Sequence, residues 1–123
     1  MTNRSRDAGF RRAPRMATRL PGTLSGRTSF PVVVLDLSLR GCLARCEGRL
    51  DRGLIMDLEL TIEEESLTAK VRVAESSRDG EASSEGATFY LAGLEFLSLT
   101  PQGEVLLRRF VEQARRRQLQ GRT

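Results

Sequence analysis

The chain of 123 residues contains no histidine, no tryptophan, one lysine and two cysteines, and only 5% of its residues are aromatic. The absence of histidine excludes a histidine-based catalytic triad and any metal site with a histidine ligand. No stretch approaches the roughly 20 apolar residues that a membrane-spanning helix needs. The first ten residues also lack the apolar segment of a secretory signal. These features favour a single cytoplasmic domain without membrane insertion.

The two cysteines, Cys42 and Cys46, follow the spacing C-x-x-x-C, which differs from the C-x-x-C of zinc and redox sites. On a strand this separation spans roughly 13 Å, which is beyond the reach of a disulfide. We therefore interpret both as small buried apolar residues and predict no metal site.

Charge is unevenly distributed along the chain. The net charge is +4, but residues 1–52 and 108–123 are strongly basic, whereas residues 53–107 are acidic. Lys70 is the only lysine, so nearly all positive charge comes from arginine, whose planar fork binds phosphates and purine edges through paired hydrogen bonds. A chain that contains both basic and acidic segments is more typical of a protein that binds a small anionic ligand at one place than of one that binds a nucleic acid polymer.

Alternating apolar residues predict about six antiparallel strands. They cover residues 18–25, 29–38, 42–47, 54–62, 66–74 and 87–97. Turns are predicted at Gly26–Thr28 and at the acidic hairpin Glu63–Glu65, and a polar loop at residues 76–86. Within 54–62 the pattern puts Leu54 in the core with every second residue after it.

The stretch 29–41, SFPVVVLDLSLRG, is an apolar strand with two polar residues near its end. A period of two predicts that one face of this strand, turned to the core, carries Val33, Leu35, Leu37 and Leu39. The other face would carry Val32, Val34, Asp36 and Ser38. We therefore expect Asp36 and Ser38 to point outward together, just before Gly41.

A helix is predicted from about residue 101 to 117, with Thr100 as its cap and Pro101 in its first turn. The apolar residues at helical spacing are Leu106, Leu107, Phe110, Val111 and Ala114. Arg115–Arg117 favour the negative end of the helix dipole, and Gly121 would stop the helix. The predicted fold is mainly β, a small six-stranded antiparallel barrel at about residues 17–98 with one C-terminal helix.

Three motifs occur in order along the chain: R-x-x-x-R from Arg11 to Arg15, D-x-S-x-x-G from Asp36 to Gly41, and G-x-x-F from Gly93 to Phe96. This order and spacing resemble the PilZ domain, the bacterial module that binds cyclic di-GMP. The resemblance covers nearly the whole chain. Residues 1–9 are polar, and we expect them to be a flexible N-terminus, followed by one domain at residues 10–117 and a short tail at 118–123.

The resemblance implies a ligand on the outer barrel surface, beneath the N-terminal arm. Arg11 and Arg15 would contact guanine edges and phosphates, because a guanidinium fork matches guanine O6 and N7. Asp36 would accept hydrogen bonds from guanine, Ser38 would add a hydroxyl, and Gly41 would leave room for the ligand. The flanking residues Arg12 and Arg40 are further candidates for phosphate contact. Gly93 and Phe96 are interpreted as structural.

Each of these residues has a simpler interpretation. Arg11 and Arg15 are also consistent with a solvated basic tail, and Asp36, Ser38 and Gly41 with an ordinary turn. The predicted function is a non-enzymatic cyclic di-GMP receptor, a monomer or weak dimer that acts on an unidentified downstream protein.

Three alternatives remain beside this function. The first is a PilZ-like interaction module that binds no nucleotide. The second is a basic barrel that binds RNA or single-stranded DNA, which the few aromatic residues disfavour. The third is an enzyme, for which no acid–base pair or activated nucleophile is visible, so no catalytic residue is assigned.

Overall fold

The computed structural model describes residues 15–80 and 88–120, which form a closed barrel of antiparallel strands and one helix. The strands are β1 (Met16–Ser25), β2 (Ser29–Leu37), β3 (Gly41–Cys46), β4 (Ile55–Ile62), β5 (Glu65–Arg78) and β6 (Tyr90–Leu99), and the helix is α1 (Pro101–Gln120). Around the barrel the order is β1-β2-β3-β6-β5-β4, and pairing of β1 with β4 closes it. The predicted six-stranded barrel with a C-terminal helix is confirmed.

Strands β4 and β5 form the most regular part of the core. Their buried residues alternate with exposed ones, as the sequence predicts. The buried residues of this pair are Met56, Leu58, Leu60, Ile62, Leu67, Ala69, Val71 and Val73. The prediction for Leu54 was wrong, because this residue precedes β4 and is 43% exposed.

The prediction for the faces of β2 was wrong over most of its length. Val32 and Val34 are buried, whereas Val33 and Leu35 are only half-buried. Between Val34 and Asp36 the pairing register with β3 shifts by one residue, which is the geometry of a β-bulge. The extra residue reverses the alternation, so Leu37 is fully buried as predicted while Asp36 still faces outward.

Strand β5 continues beyond its predicted end. Ser76, Ser77 and Arg78 were predicted in a polar loop, but they pair with Ala92, Leu91 and Tyr90 of β6. Their polarity misled the sequence prediction, because strand pairing satisfies the backbone groups whatever the side chains are.

The hairpin between β4 and β5 turns at Glu63 and Glu64, and Glu65 already pairs with Ile62. Both turn residues have positive φ angles, 50° and 74°. Two central residues with positive φ are typical of a type I′ turn, which favours asparagine followed by glycine. Glutamate has no such preference, so this turn carries backbone strain.

Replacing the turn by Glu63→Asn with Glu64→Gly is expected to raise the free energy of unfolding by about 1 kcal/mol, because both residues then accept the left-handed conformation. Urea unfolding at equilibrium measures this change. Glu64→Ala is the matched control and is expected to give no stabilisation, since alanine retains the strain. A double variant that is no more stable than the wild type would contradict the inference that this turn is strained.

Helix α1 begins as predicted. The hydroxyl of Thr100 accepts a hydrogen bond from the backbone N–H of Gly103 at 3.0 Å, which caps the first turn. The helix packs its apolar face on the barrel through Leu106, Leu107 and Val111, with Phe110 and Ala114 partly buried at the edge. It extends to Gln120, beyond the predicted end at residue 117. The predicted stop at Gly121 lies outside the described residues.

The acidic β4–β5 hairpin lies beside the basic helix. Glu65 forms an ion pair with Arg109, and Glu63 lies 3.9 Å from Arg117. Opposite charges that are separated in the sequence are thus adjacent in the fold. Of the helices in the part of the chain that the structure describes, none has the length and apolarity needed to cross a membrane.

Candidate functional site

The turn between β2 and β3 is organised by the side chain of Ser38. Its Oγ accepts hydrogen bonds from the backbone N–H groups of Arg40, at 3.1 Å, and Gly41, at 3.2 Å. The same hydroxyl lies 3.2 Å from the carbonyl oxygen of Gly41 and donates to it. The backbone N–H of Ser38 also donates to this carbonyl, at 2.9 Å. One serine therefore closes the turn that follows Asp36.

The predicted outward orientation of Ser38 was wrong. Ser38 is 0% exposed, and the β2 bulge ends the simple alternation before this residue. Its hydroxyl is used by the turn, as in the simpler interpretation of the sequence. Gly41 is also buried, and it starts β3 opposite Glu95 of β6.

Ser38→Ala is expected to lower the free energy of unfolding by about 1–2 kcal/mol, because the buried N–H of Gly41 loses its acceptor. Urea unfolding of this variant against Ser98→Ala, an exposed serine on β6, measures the difference. Equal stability of the two variants would mean that the turn does not depend on the hydroxyl.

Strand β6 supports the same turn from the other side. The backbone N–H of Phe96 donates to the carbonyl oxygen of Arg40 at 2.8 Å, and the ring of Phe96 packs against the core. Gly93 is buried opposite Leu43, and a Cβ there would lie 3.3 Å from Cγ of Glu75. The structural interpretation of Gly93 and Phe96 agrees with these contacts.

Arg15 and Asp36 form a bidentate ion pair on the barrel surface. Nε of Arg15 donates to Oδ1 of Asp36 at 3.0 Å, and Nη2 lies 2.8 Å from Oδ2. Ala17 of β1 is paired with Asp36, so Arg15, two residues earlier, lies diagonally beside it on the same face. The two side chains are 31% and 22% exposed, which leaves both accessible from solvent.

The carboxylate of Asp36 also affects the core beneath it. Burial, with a smaller contribution from the Asp36 charge, raises the pKa of the Cys42 thiol to about 12. Burial likewise raises the pKa of Cys46, whose Sγ donates to the carbonyl oxygen of Gly48. Both cysteines are buried free thiols, as predicted.

The remaining predicted residues are placed as follows. Arg11 and Arg12 lie outside the described residues. Arg40 is exposed at the tip of the turn, and within the described residues its side chain has no ion pair. No group of three or more His, Cys, Asp or Glu side chains that could hold a metal occurs in residues 15–80 and 88–120.

Sequence reasoning missed a second arginine site on the same barrel surface. Arg45 of β3 stacks over the ring of Phe89, with its Cζ 4.2 Å from the ring centroid, and its Nε lies 3.1 Å from Oδ2 of Asp79. The alternation of Arg45 with the buried residues Ala44 and Cys46 could have indicated its outward direction. Its partners lie directly after β5 and directly before β6, far from Arg45 in the sequence, so no local pattern predicts them.

The described residues thus form a closed six-stranded barrel that carries the Arg15–Asp36 pair on its surface. The PilZ domain family model matches residues 10–113, and the chain therefore belongs to the PilZ domain family. A comparison with curated protein sequences gives no match.

Solved structures share the fold at low sequence identity. The PilZ domain of YcgR from Escherichia coli, solved with c-di-GMP, has a TM-score of 0.71 and 17% identity, over 89% of this chain and 95% of that one. The Bacillus subtilis inhibitor of motility MotI/DgrA has a TM-score of 0.72 and 15% identity, over 90% of this chain and 52% of that one. MrkH of K. pneumonia in complex with c-di-GMP has a TM-score of 0.65 and 16% identity, over 86% and 54%. The chain thus spans about half the length of the last two proteins.

Proposed function

We propose that this protein is a receptor for cyclic di-GMP that works as a signalling adaptor and performs no chemistry. The observation that carries the proposal is the Arg15–Asp36 pair on the outer surface of a PilZ barrel, next to the Ser38 turn. An arginine fork and a carboxylate side by side match the two edges of a guanine base. Structures of other PilZ proteins with c-di-GMP support the same ligand.

Arg15 would bind guanine O6 and N7 or a phosphate oxygen, as both are acceptors that suit a guanidinium. Asp36 would accept hydrogen bonds from the N1 and N2 groups of guanine. Arg11 and Arg12 would add contacts from the N-terminal segment, and Arg40 would approach a phosphate from the tip of the turn. Ser38 would act indirectly, because its hydroxyl positions the backbone between Asp36 and Gly41.

Ligand binding on this account is an exchange of partners. Arg15 and Asp36 neutralise each other in this structure, and both would turn to the ligand. Each side chain would exchange its present partner for a charged or polar group of the ligand. The new contacts would offset the free energy lost when the ion pair breaks. The N-terminal arginines would be drawn onto the barrel at the same time, which would change the surface offered to a downstream protein.

The biological setting follows from the ligand. A cyclic di-GMP adaptor would act in the bacterial cytoplasm, on a partner in motility, surface attachment, polysaccharide export or development. The inhibitor of motility among the similar structures supports the first of these. We expect a monomer or weak dimer with no nucleic acid polymer bound.

Thermal unfolding with matched nucleotides tests the specificity of this site. Cyclic di-GMP at a hundredfold excess over its Kd is expected to raise the Tm by roughly 10 °C. Cyclic di-AMP is the control, since adenine presents an amino donor where guanine presents O6. An equal Tm shift with both nucleotides would contradict the assigned guanine contacts.

A second candidate function is a PilZ module that binds proteins and no nucleotide. The mutual pairing of Arg15 and Asp36 and the burial of Ser38 favour it, because these polar groups already have partners within the protein. Absence of any Tm shift with cyclic di-GMP, in a chain that still unfolds cooperatively, would support this candidate.

A further inference from the structure

A second surface feature lies on the barrel wall, at the other end of β2 from Asp36. It is a groove of about 570 Å³ between the first half of β2 and the segment that follows β3. Its apolar lining includes Phe30, Pro31, Val33, Leu50 and Phe89. We call this surface the β2–β3 groove.

The groove exists because β3 is shorter than β2. The last registered pair between these strands is Val33 with Arg45, so residues 29–32 pair with β1 but not with β3. The chain then leaves toward β5, where the backbone N–H of Leu50 donates to the hydroxyl of Ser76 at 3.3 Å. Pro31 has no backbone N–H, which disfavours the addition of a further strand along this edge. The groove is therefore suited to bind the side chains of a partner rather than to pair with its backbone.

Arg45 forms the polar wall of the groove. Cζ of its guanidinium lies over the ring of Phe89, 4.2 Å from the ring centroid. Its Nε lies 3.1 Å from Asp79, but the N–H is not directed at that oxygen, so this buried nitrogen has no hydrogen bond within the described residues. The contacts with Phe89 and Asp79 hold the guanidinium in place, and the side chain of Arg45 is still 27% exposed, so its terminal N–H groups can donate to a carboxylate from a partner.

A second arginine stands at the rim. Arg49 lines the same groove and is exposed, and the described part of the chain provides no ion pair or hydrogen bond for its side chain. Glu47 is the acidic residue in the lining, while Arg45 and Arg49 are the basic ones. Asp79, the ion-pair partner of Arg45, is not among the lining residues, so the lining itself carries two positive charges and one negative charge, which favours an acidic partner over a basic one.

We propose that the β2–β3 groove binds an acidic, hydrophobic segment of a partner protein. An aromatic or aliphatic side chain of the segment packs against Phe30, Val33 and Phe89, and a neighbouring carboxylate binds Arg45, with Arg49 at the rim. Val33 and Asp36 face outward three residues apart on β2, a distance of about 10 Å. The groove thus lies beside the Arg15–Asp36 pair on the same strand, although the proposal does not depend on nucleotide binding.

Nuclear magnetic resonance titration of the ¹⁵N-labelled full chain, without nucleotide, tests the proposal with three capped hexapeptides. The first is Gly-Asp-Phe-Leu-Asp-Gly, the second replaces both aspartates by lysine, and the third replaces the two apolar residues by serine. The first peptide is expected to give saturable shifts at Phe30, Val33, Arg45 and Phe89. The other two are expected to bind at least tenfold more weakly, because each lacks one of the two contacts.

Variants of the protein assign the contacts. Arg45→Gln is expected to weaken binding of the first peptide about tenfold or more, since a charge-assisted hydrogen bond is lost. Val33→Thr, a change at a half-buried strand position that keeps the β-branched shape, is expected to weaken it as well. Arg108→Gln, on the exposed face of α1, is the control and is expected to leave binding unchanged.

Three results would overturn the proposal. One is the absence of shifts with the first peptide up to about 5 mM, enough to detect a Kd near 1 mM. Another is equal binding of the lysine peptide. A third is a change of the same resonances when the protein alone is diluted, which would make the groove a contact between copies of this chain. Failure to bind cyclic di-GMP leaves all these outcomes unaffected, so the two proposals fail separately.

Discussion

Arg15→Ala is expected to abolish measurable cyclic di-GMP binding and to leave the circular dichroism spectrum unchanged. Arg15 is the one arginine of the predicted R-x-x-x-R motif within the described residues, and its fork is already fixed in direction by Asp36. Its removal would take away the charged contact that we propose between Arg15 and the ligand. The fold does not depend on it, because Arg15 precedes β1 and its side chain lies at the surface.

The matched control for this prediction is Arg27→Ala. Arg27 is an exposed arginine in the turn between β1 and β2, at the opposite end of this hairpin from Arg15. It changes the net charge by the same amount, so it corrects for any general electrostatic attraction of the anionic ligand. Equal loss of affinity in both variants would mean that charge alone drives binding. Unfolding of the Arg15→Ala variant would mean that its ion pair is structural.

Asp36→Ala is expected to weaken cyclic di-GMP binding by about 1–3 kcal/mol, the range of a base-specific paired contact. The ligand loses an acceptor for the guanine N1 and N2 groups, while Arg15 loses the partner that orients it. Calorimetry of this variant beside Asp57→Ala measures the difference. Asp57 is the control because it is an exposed carboxylate on β4, paired with Lys70 at 3.3 Å on another part of the barrel.

The pairing of Arg15 with Asp36 makes these two changes interdependent. Residues in direct contact do not contribute additively, so the double variant is expected to lose less affinity than the sum of the single variants. Unchanged affinity in Asp36→Ala would contradict the guanine role of this carboxylate, and its function would then be limited to holding Arg15 against the barrel.

The fold could be predicted from the sequence where apolar and polar residues alternate strictly. Strands β4 and β5 bury every second residue, and the order of strands and helix was read correctly from this pattern. The faces of β2 could not be read in this way, because a bulge at Leu35 depends on pairing with β3 rather than on the local sequence. One extra residue is enough to reverse the assignment of Val32–Val34.

Prediction of the candidate site from the sequence was limited in the same way. Within the D-x-S-x-x-G motif, Asp36 and Ser38 were predicted to point outward together, whereas the structure has the carboxylate of Asp36 outward and the hydroxyl of Ser38 buried in a turn. The β2–β3 groove was not predicted at all, since Arg45 and Phe89 are brought together by the closure of the barrel. Sites assembled from distant strands leave no periodic signal in a single sequence.

Isothermal titration of the full chain with cyclic di-GMP tests the central claim most directly, because it yields affinity and stoichiometry together. We expect saturable heat at micromolar ligand, with one ligand or a stacked pair per chain, and loss of this heat in Arg15→Ala. A folded chain that gives no heat at these concentrations would contradict the claim that this barrel is a cyclic di-GMP receptor.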